Sequence, residues 1–397
     1  MKEARYVITR YKNRIMYYTL NNATNKFDSL GFSNEDAELN CIGNIYVAKV
    51  INVNKNLSAA FIEYLPNGIK GFLPFNPHNN VVLLNREYDG RLIAGDELLV
   101  QLEKEAVRTK EPVFTTNLSL AGKYCVVTSG NKIKSVSKKC SKEQREVLRC
   151  AIPKDSDYGI IIRTNAVEQI NNIEIIKEEC SNLVAEINKI IQYGKHRTCF
   201  SCIWQAPPAY FTFLRDSSDF CFTKIITDDS DIYSKLKNYL QMYHSDLVNI
   251  LELYNDPSYT LDKLHSIQTK IDELMGEIVW LKSGAYLIIE KTEALYVIDV
   301  NSGKNIQKNI KGDYIYSINL ESAHEIMRQI RLRNMSGIIL IDFINMPDSE
   351  SEEKLLYELK TLAKKDKIAT TVVDITPLGL VEITRKKVQK SLQEQLS

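Results

Sequence analysis

Apolar residues recur with two different spacings along this chain, and each spacing predicts a different kind of element. Short β-rich runs bounded by glycine or polar turns predict strands. In the segment 39–119 such runs cover Gly43–Val53, Ser58–Tyr64, Gly71–Pro74 and Glu97–Lys104. Short strands spaced this closely are typical of a small barrel of the OB type.

The segments on either side of this one combine strands with helices. Residues 120–214 predict an α/β unit, in which the strand Tyr158–Thr164 precedes a helix over Val167–Tyr193. Residues 1–35 contain short strands that are too few to form a sheet alone. A strand and helices follow in 215–280, so we predict that these two segments form one split domain around the residues between them.

The C-terminal part alternates strands and helices, which is the pattern of a layered α/β domain. In the second half of the chain we predict strands at 285–290, 294–300, 337–343 and 368–373, and helices at 231–243, 260–274, 320–331, 351–364 and 379–394. The prediction is an α/β multidomain protein whose domains are 1–35 with 215–280, 36–119, 120–214 and 281–397.

The composition and charge of the chain indicate which class of protein it belongs to. A hydrophobic fraction of 44% and a charged fraction of 25% in 397 residues are typical of a soluble globular chain. The net charge of +1 argues against histone-like binding of nucleic acid but allows a local basic groove. No apolar run has the length of a membrane span, and Met1–Arg10 lacks the apolar stretch of a signal peptide. We therefore expect a cytoplasmic protein.

Cysteines and one basic stretch are the next candidates. Eight scattered cysteines are not expected to pair in a cytosolic chain. Cys199 and Cys202 form a single C-x-x-C, and because a structural zinc site needs four ligands, we expect no structural zinc there. Residues 123–145 are rich in lysine and arginine, which indicates either a solvated loop and helix start or a basic binding surface.

Two apolar strands each run into one carboxylate. Asp299 lies in the run Tyr296–Gly303, and Asp342 lies in Ile338–Met346. A lone Asp at a strand end is usually a cap or turn residue, but a charge in a buried strand is costly unless it is paired or binds a metal. Two such carboxylates can converge on Mg²⁺. Asn301 lies on the same strand face as Asp299 and can orient it, so the pattern predicts chemistry on a phosphate.

Two aromatic residues of the predicted barrel are candidate nucleic-acid contacts. Phe61 and Phe72 lie on successive strands and either belong to the barrel core or stack on bases. Their small neighbours, Ala59-Ala60 and Gly71, leave room for a close approach. The cations that would follow a nucleic-acid backbone are Lys104, Arg108 and Lys110.

Arg163 and Thr164 end the strand predicted at 158–164. A guanidinium fork beside a hydroxyl can grip a phosphate monoester. The alternative is an arginine that caps the strand end and pairs with a nearby acid, and the residues alone favour that alternative.

A series of motifs then follows one order along nearly the whole chain. They are Ser58-Ala-Ala-Phe-Ile-Glu-Tyr64, Lys70-Gly-Phe-Leu-Pro74, Thr115-Thr-Asn-Leu-Ser-Leu-Ala-Gly122, Gly159-Ile-Ile-Ile-Arg-Thr164, Ile298-Asp-Val-Asn-Ser302, Gly337-Ile-Ile-Leu-Ile-Asp-Phe-Ile344 and Gly379-Leu-Val-Glu-Ile-Thr-Arg385. In this order they resemble the catalytic region of the ribonuclease E/G family of bacterial endoribonucleases.

The resemblance implies a fold and a set of roles. The split ends would form an RNase H-like domain with an inserted OB-fold and a 5′-phosphate sensor region, and 281–397 would form a DNase I-like catalytic domain. Asp299 and Asp342 would hold Mg²⁺, or Mn²⁺ in its place, with support from Asn301. The implied RNA-binding residues are Phe61, Phe72, Lys104 and Lys110, and the implied 5′-phosphate-binding residues are Arg163 and Thr164.

The function implied is Mg-dependent hydrolysis of single-stranded RNA, with a 5′-monophosphate favoured, to leave 5′-phosphate and 3′-hydroxyl ends in RNA processing or decay. A non-cleaving RNA-binding or ribosome-associated factor of the same fold is the alternative.

Three features depart from the family pattern. No C-x-x-C follows Arg385, where better-known members carry the zinc link between subunits and then a small domain that helps form the tetramer, so a monomer or dimer is expected. Asn345 stands where many members have a second Asp. Lys138 and Lys139 stand where members often have arginines, and since lysine lacks the bidentate fork, weaker discrimination of the 5′ end is expected.

Overall fold

The structure, a computed structural model, describes residues 2–34, 41–75, 80–106, 110–153, 156–303, 312–346 and 348–396. The chain divides into two units. Unit 1 comprises Lys12–Ile15 and Ser33–Cys221, and unit 2 comprises Lys2–Tyr11, Met16–Phe32 and Phe222–Ser397. Each unit combines sheets with helices, so the mixed α/β class predicted from the sequence is confirmed.

The strands are, in chain order, β1 (Lys2–Tyr11), β2 (Arg14–Asn21), β3 (Phe27–Asn34), β4 (Ile45–Asn54), β5 (Ala59–Leu65), β6 (Ile69–Pro74), β7 (Glu97–Lys104), β8 (Val113–Thr115), β9 (Ser119–Ala121), β10 (Cys125–Thr128), β11 (Lys134–Val136), β12 (Gly159–Ile162), β13 (Cys202–Trp204), β14 (Phe220–Thr227), β15 (Leu251–Leu253), β16 (Ile278–Trp280), β17 (Tyr286–Lys291), β18 (Leu295–Asn301), β19 (Gly337–Asp342), β20 (Thr370–Ile375) and β21 (Leu380–Arg385). The α-helices are α1 (Lys142–Arg149), α2 (Ile173–Gly194), α3 (Ala209–Arg215), α4 (Ser230–Tyr243), α5 (Leu261–His265), α6 (Ile267–Met275), α7 (Gly312–Leu332), α8 (Ser349–Lys364) and α9 (Leu392–Leu396).

Unit 1 contains a closed barrel of five strands. The strands follow one another in the order β4-β5-β6-β8-β7, and β7 pairs with β4 to complete the ring. Large buried side chains, among them Tyr46, Ile62 and Phe114, fill the interior. The arrangement is OB-like and confirms the barrel that the short, closely spaced strands predict.

A second sheet in unit 1 has the order β11-β12-β10-β9. Helix α2 covers it, and Ile176 and Ile187 pack with the buried strand residues Ile160 and Ile162. The helix predicted to begin at Val167 begins at Ile173 instead. Residues Thr164–Gln169 form a separate turn of 3-10 helix, which places Thr164 at its first position.

The first sheet of unit 2 joins segments that are far apart in sequence. Its order is β15-β14-β1-β2-β3, so strands from the two ends of the predicted split domain do share one sheet. The helical segment predicted over 260–274 is confirmed, but it consists of two helices, α5 and α6, separated at Ser266. Ser266 adopts a left-handed conformation at φ 49°, which ends α5 and lets α6 begin in a new direction.

The second sheet of unit 2 has the order β16-β17-β18-β19-β21-β20. One face packs against α7 and α8, where Ile326 and Leu359 meet the strand residues Ile298 and Ile341. The helix predicted over 379–394 is wrong. Residues 380–385 form β21, in which Val381, Ile383 and Arg385 are buried at alternate positions, and α9 is a single short helix beyond it.

A buried ion pair joins β21 to the turn after α8. Arg385 Nε donates to Asp366 Oδ2 at 2.8 Å, and both side chains are almost fully buried. Arg385 Nη1 also donates to Asn334 Oδ1 and to the Met335 carbonyl. The end of β21 is therefore fixed to two neighbouring loops.

Among the helices of the described ranges, none has the length and apolar character that crossing a membrane requires.

Candidate functional site

The two candidate carboxylates meet on neighbouring strands. β18 and β19 are parallel, and Asp299 is the register partner of Asp342. Asn301 Nδ2 donates to Asp299 Oδ2 at 2.8 Å, as the sequence suggests. Asp342 is exposed and Asp299 and Asn301 are half-buried, so all three side chains are accessible at the carboxyl ends of the strands.

Alternation along the strands separates two faces of this sheet. Leu287, Val300 and Ile341 point into the core against the helices. Asp299 is adjacent to Val300, and Asp342 is adjacent to Ile341. Because neighbouring residues of a strand point to opposite faces, both carboxylates point away from the helices. This face of the second sheet of unit 2 is called the open face of the unit 2 sheet below. It is defined by Ile278, Trp280, Tyr286, Ile288, Asp299, Asn301 and Asp342.

The chain beyond each carboxylate is held by contacts that the sequence does not reveal. After β19, the fully buried Asn319 of α7 donates to the Ile344 carbonyl at 2.7 Å and accepts from the Ile344 N–H. After β18, Gly303 has φ +70°, and a Cβ there would lie 2.4 Å from the Gly284 carbonyl oxygen. A residue other than glycine at 303 would push these two backbones apart.

The donor set fits a small divalent cation. Neighbouring strands lie about 4.8 Å apart, so carboxylates in register can both reach one ion. Within the described ranges, no three His, Cys, Asp or Glu side chains gather as a metal cluster. Mg²⁺ is commonly held by only one or two carboxylates and keeps several waters. Asp299 and Asp342 are therefore suited to Mg²⁺, with Asn301 orienting the Asp299 carboxylate.

The barrel carries a row of residues that continues from strand to strand. Phe61 is paired with Phe72, Phe72 with Val113, and Val113 with Lys104. The rings of Phe61 and Phe72 are in edge contact, with centroids 5.8 Å apart. Both are half-buried, whereas the barrel core is formed by the alternate residues. Lys110, three residues before Val113, is exposed. Arg108 lies outside the described residues.

The small neighbours of these rings do not open space for a ligand. Ala59 and Ala60 are fully buried. Gly71 faces the barrel interior, where a Cβ would lie 2.4 Å from a ring atom of Phe114. The expectation that they leave room for a close approach is corrected: all three residues are buried, and Ala60 and Gly71 pack within the barrel.

Arg163 pairs with an acid. Its Nη1 donates to Asp216 Oδ1 at 2.8 Å and to the Gly122 carbonyl at 2.6 Å. Burial by itself would raise the pKa of Asp216, but hydrogen bonds and charge from Arg215 and Arg163 outweigh it and lower that pKa. This pairing is the alternative that the residues alone favour, and it uses one terminal nitrogen of the guanidinium.

Thr164 is exposed next to Arg163. Its hydroxyl lies 2.9 Å from that of Ser137, which brings the Lys138-Lys139 stretch to the same edge of the sheet. On the other side, Glu179 of α2 accepts from the backbone N–H groups of residues 123, 124 and 125 at 2.7 to 2.9 Å. Glu179 therefore fixes the loop that contains Gly122. Sequence periodicity places Glu179 on a helix but does not reveal this contact.

Cys199 and Cys202 are free thiols in different local settings. Burial, and then a hydrogen bond with Glu97, raises the pKa of Cys199 to about 12. Burial also raises the pKa of Cys202, whose Sγ contacts the Trp204 carbonyl. Raised pKa values disfavour the thiolate form that binds metals.

Comparison with known proteins places the chain in a family. The model of the Ribonuclease E/G family matches residues 119–388. Ribonuclease G of Salmonella typhimurium (strain SL1344) is 30% identical over 375 residues, which is 91% of this chain and 76% of that protein. Ribonuclease G of Escherichia coli (strain K12) is 30% identical over 374 residues, again 91% of this chain and 76% of that protein. Ribonuclease E of Haemophilus influenzae is 28% identical over 368 residues, 88% of this chain and 38% of that protein.

This chain therefore belongs to the ribonuclease E/G family, as its motifs predict.

Proposed function

We propose that this protein is an endoribonuclease that hydrolyses single-stranded RNA at the open face of the unit 2 sheet and leaves 5′-phosphate and 3′-hydroxyl ends. The observation that carries the proposal is the register pairing of Asp299 with Asp342 in a chain of the ribonuclease E/G family. Carboxylates paired in this way are the ligands needed for metal-assisted cleavage of a phosphodiester.

Each side chain of the site has a defined task in this proposal. The chemistry that a bound Mg²⁺ supplies is activation of a water molecule and stabilisation of charge on the scissile phosphate. Asp299 and Asp342 hold the ion, and Asn301 fixes the orientation of the Asp299 carboxylate through its hydrogen bond. The exposure of Asp342 gives an RNA strand access to the site.

The test is incubation of the purified protein with a 5′-monophosphate, A/U-rich single-stranded RNA. We expect cleavage with Mg²⁺ or Mn²⁺ and none with EDTA, because both carboxylates act through the ion. The expected 5′-phosphate and 3′-hydroxyl ends of the products are checked by testing whether a ligase can join them. Equal cleavage in EDTA would contradict the metal assignment.

A non-cleaving RNA-binding factor is the second candidate. The observation in its favour is that the Phe61–Phe72 pair lies on the barrel and needs no metal to bind a base. Binding of RNA without cleavage under any metal condition would favour this candidate.

The aromatic row of the barrel is proposed to bind the RNA strand, with Lys104 and Lys110 near its backbone. Removing one stacking ring costs about 1–3 kcal/mol, and about 1.4 kcal/mol is a tenfold change in Kd. We expect Phe61→Ala and Phe72→Ala each to raise Kd for RNA about tenfold. Fluorescence anisotropy in an Asp299→Asn background measures binding without cleavage.

Tyr88→Ala is the matched control, because Tyr88 is an exposed aromatic of unit 1 outside the row. Since the two phenylalanine rings touch, the double variant should lose less than the sum of the single losses. Unchanged affinity in both single variants would show that the row does not bind RNA.

Arg163 and Thr164 are proposed to bind the 5′-monophosphate of the substrate. Arg163→Ala is expected to slow cleavage of 5′-monophosphate RNA about tenfold or more relative to cleavage of 5′-hydroxyl RNA, because a hydrogen bond to a charged group is worth about 1.5–3 kcal/mol and about 1.4 kcal/mol is a tenfold change. The measurement is the ratio of kcat/KM for the two substrates.

Two variants separate this role from the pairing with Asp216. Thr164→Val removes an exposed hydroxyl without touching the ion pair, and should also lower the ratio. Asp216→Asn disturbs the pair but leaves the guanidinium, so it should slow both substrates alike. Equal slowing of both substrates by Arg163→Ala would assign Arg163 a structural role only.

A further inference from the structure

Two aromatic side chains lie beside the carboxylates on the open face of the unit 2 sheet. Trp280 of β16 is the register partner of Tyr286 of β17, and Tyr286 is the register partner of Asn301. The neighbouring row runs from Ile288 to Asp299 and on to Asp342. The aromatic pair is therefore one row from the metal-binding carboxylates, on the same face.

The indole of Trp280 is accessible. Trp280 is 65% exposed, while Val279, between it and Ile278, points towards the core on the other face. The rings of Trp280 and Tyr286 have centroids 5.1 Å apart and an interplanar angle of 49°. Tyr286 supports one side of the indole, so a flat ligand can stack on the side that faces solvent.

The separation suits an RNA strand. Strands in a sheet lie about 4.8 Å apart, so Trp280 is about 10 Å from Asn301 along the row and its indole covers part of that distance. A base next to a phosphate held at Asp299 can reach it. A contiguous exposed apolar patch can mark an interaction site, and here the Trp280–Tyr286 pair is continuous with the candidate active site through the register partner Asn301.

We propose that Trp280, supported by Tyr286, is a stacking platform for a nucleobase next to the phosphate that is cleaved. The proposal rests on the proposed function and adds a positioning residue to it. Stacking on an indole tolerates every base, because each base has a π-face. The platform holds the strand in place on the open face without selecting a strict sequence.

The kinetic test compares Trp280→Ala with Trp280→Phe. We expect Trp280→Ala to lower kcat/KM for RNA about tenfold, in the range found for loss of one stacked base, and Trp280→Phe to restore most of it. Tyr357→Ala is the control, because Tyr357 is 73% exposed on α8, the helical side of the same sheet, and should leave kcat/KM unchanged.

Abasic substrates locate the base that stacks. One nucleotide at a time is replaced by an abasic residue on either side of the scissile bond. At one position the replacement should slow the wild-type enzyme about tenfold and leave Trp280→Ala unaffected, since the partner of the missing base is already gone. Equal slowing of both enzymes at every position would overturn the proposal that Trp280 stacks on a base.

A binding measurement keeps this proposal separate from the cleavage reaction. The chain has two tryptophans, so Trp204→Phe leaves Trp280 as the reporter, in an Asp342→Asn background that does not cleave. Titration with RNA should change Trp280 emission in a saturable way, and less with the abasic oligonucleotide chosen above. If the wild type fails to cleave, the proposed function fails, but an RNA-dependent change in emission still supports stacking and no change overturns it.

Discussion

Replacing Asp299 or Asp342 with asparagine is expected to lower kcat/KM for RNA about 10³-fold or more, because a catalytic metal supplies several kcal/mol of transition-state stabilisation and 1.36 kcal/mol is a tenfold change in rate. Asparagine keeps the shape of the side chain and removes the charge that the ion needs. RNA binding should change little, since neither residue belongs to the aromatic row of the barrel.

Two further variants make this result specific. Asn301→Ala removes only the hydrogen bond to Asp299, and should cost about 10–100-fold, as loss of a supporting contact does at metal sites. Asp374→Asn alters an exposed acid on β20 of the same sheet and should be neutral. Near-wild-type cleavage by Asp299→Asn or Asp342→Asn at limiting Mg²⁺ would remove the assignment.

Breaking the Asp366–Arg385 pair is expected to destabilise unit 2 by about 3–5 kcal/mol, the usual cost of leaving one buried charge without its partner. The two side chains are only 2% and 3% exposed. Burial would raise the pKa of Asp366, but the hydrogen bond and charge of Arg385 outweigh it and lower the pKa below its usual value. The contribution is therefore present at neutral pH and is lost as the pH falls through the acidic range of that group.

Denaturant unfolding of Asp366→Asn, Arg385→Met and the apolar double variant Asp366→Leu/Arg385→Met measures this cost. The double variant should lose less than the sum of the single losses, because no charge is left alone. Glu350→Gln is the control: it breaks an exposed pair with Lys354, worth about 0.3–0.5 kcal/mol. Single variants that cost no more than this control would contradict the prediction.

Local pattern was enough to predict the strands that matter most for the site. The apolar runs before Asp299 and Asp342 are strands β18 and β19, and the spacing of Asn301 from Asp299 places both on one face. The barrel followed from short strands alone. These features depend on residues close together in sequence, which is why period and turn chemistry reveal them.

The contacts that the sequence pattern does not predict join residues that are far apart in the chain. Asp216 reaches Arg163 from 53 positions away, and Asn319 reaches Ile344 from 25, so no local pattern signals either. The sequence pattern predicts a helix through residues 380–385, although the buried residues Val381 and Ile383 alternate with more exposed ones. A strand of that length is short enough for helical and strand periods to fit almost equally well.

The order of strands in the first unit 2 sheet has a consequence for folding during synthesis. β1 lies between β2 and β14, yet β3 ends at Asn34 and β14 begins at Phe220. At about 5–20 residues per second, the ribosome needs roughly 10–40 s to make the intervening chain. For that time β1 has an unpaired edge, which is a site for wrong pairing and aggregation. Chaperone dependence and expression yield should therefore respond to changes in the long segment between these strands, including changes that leave the candidate active site untouched.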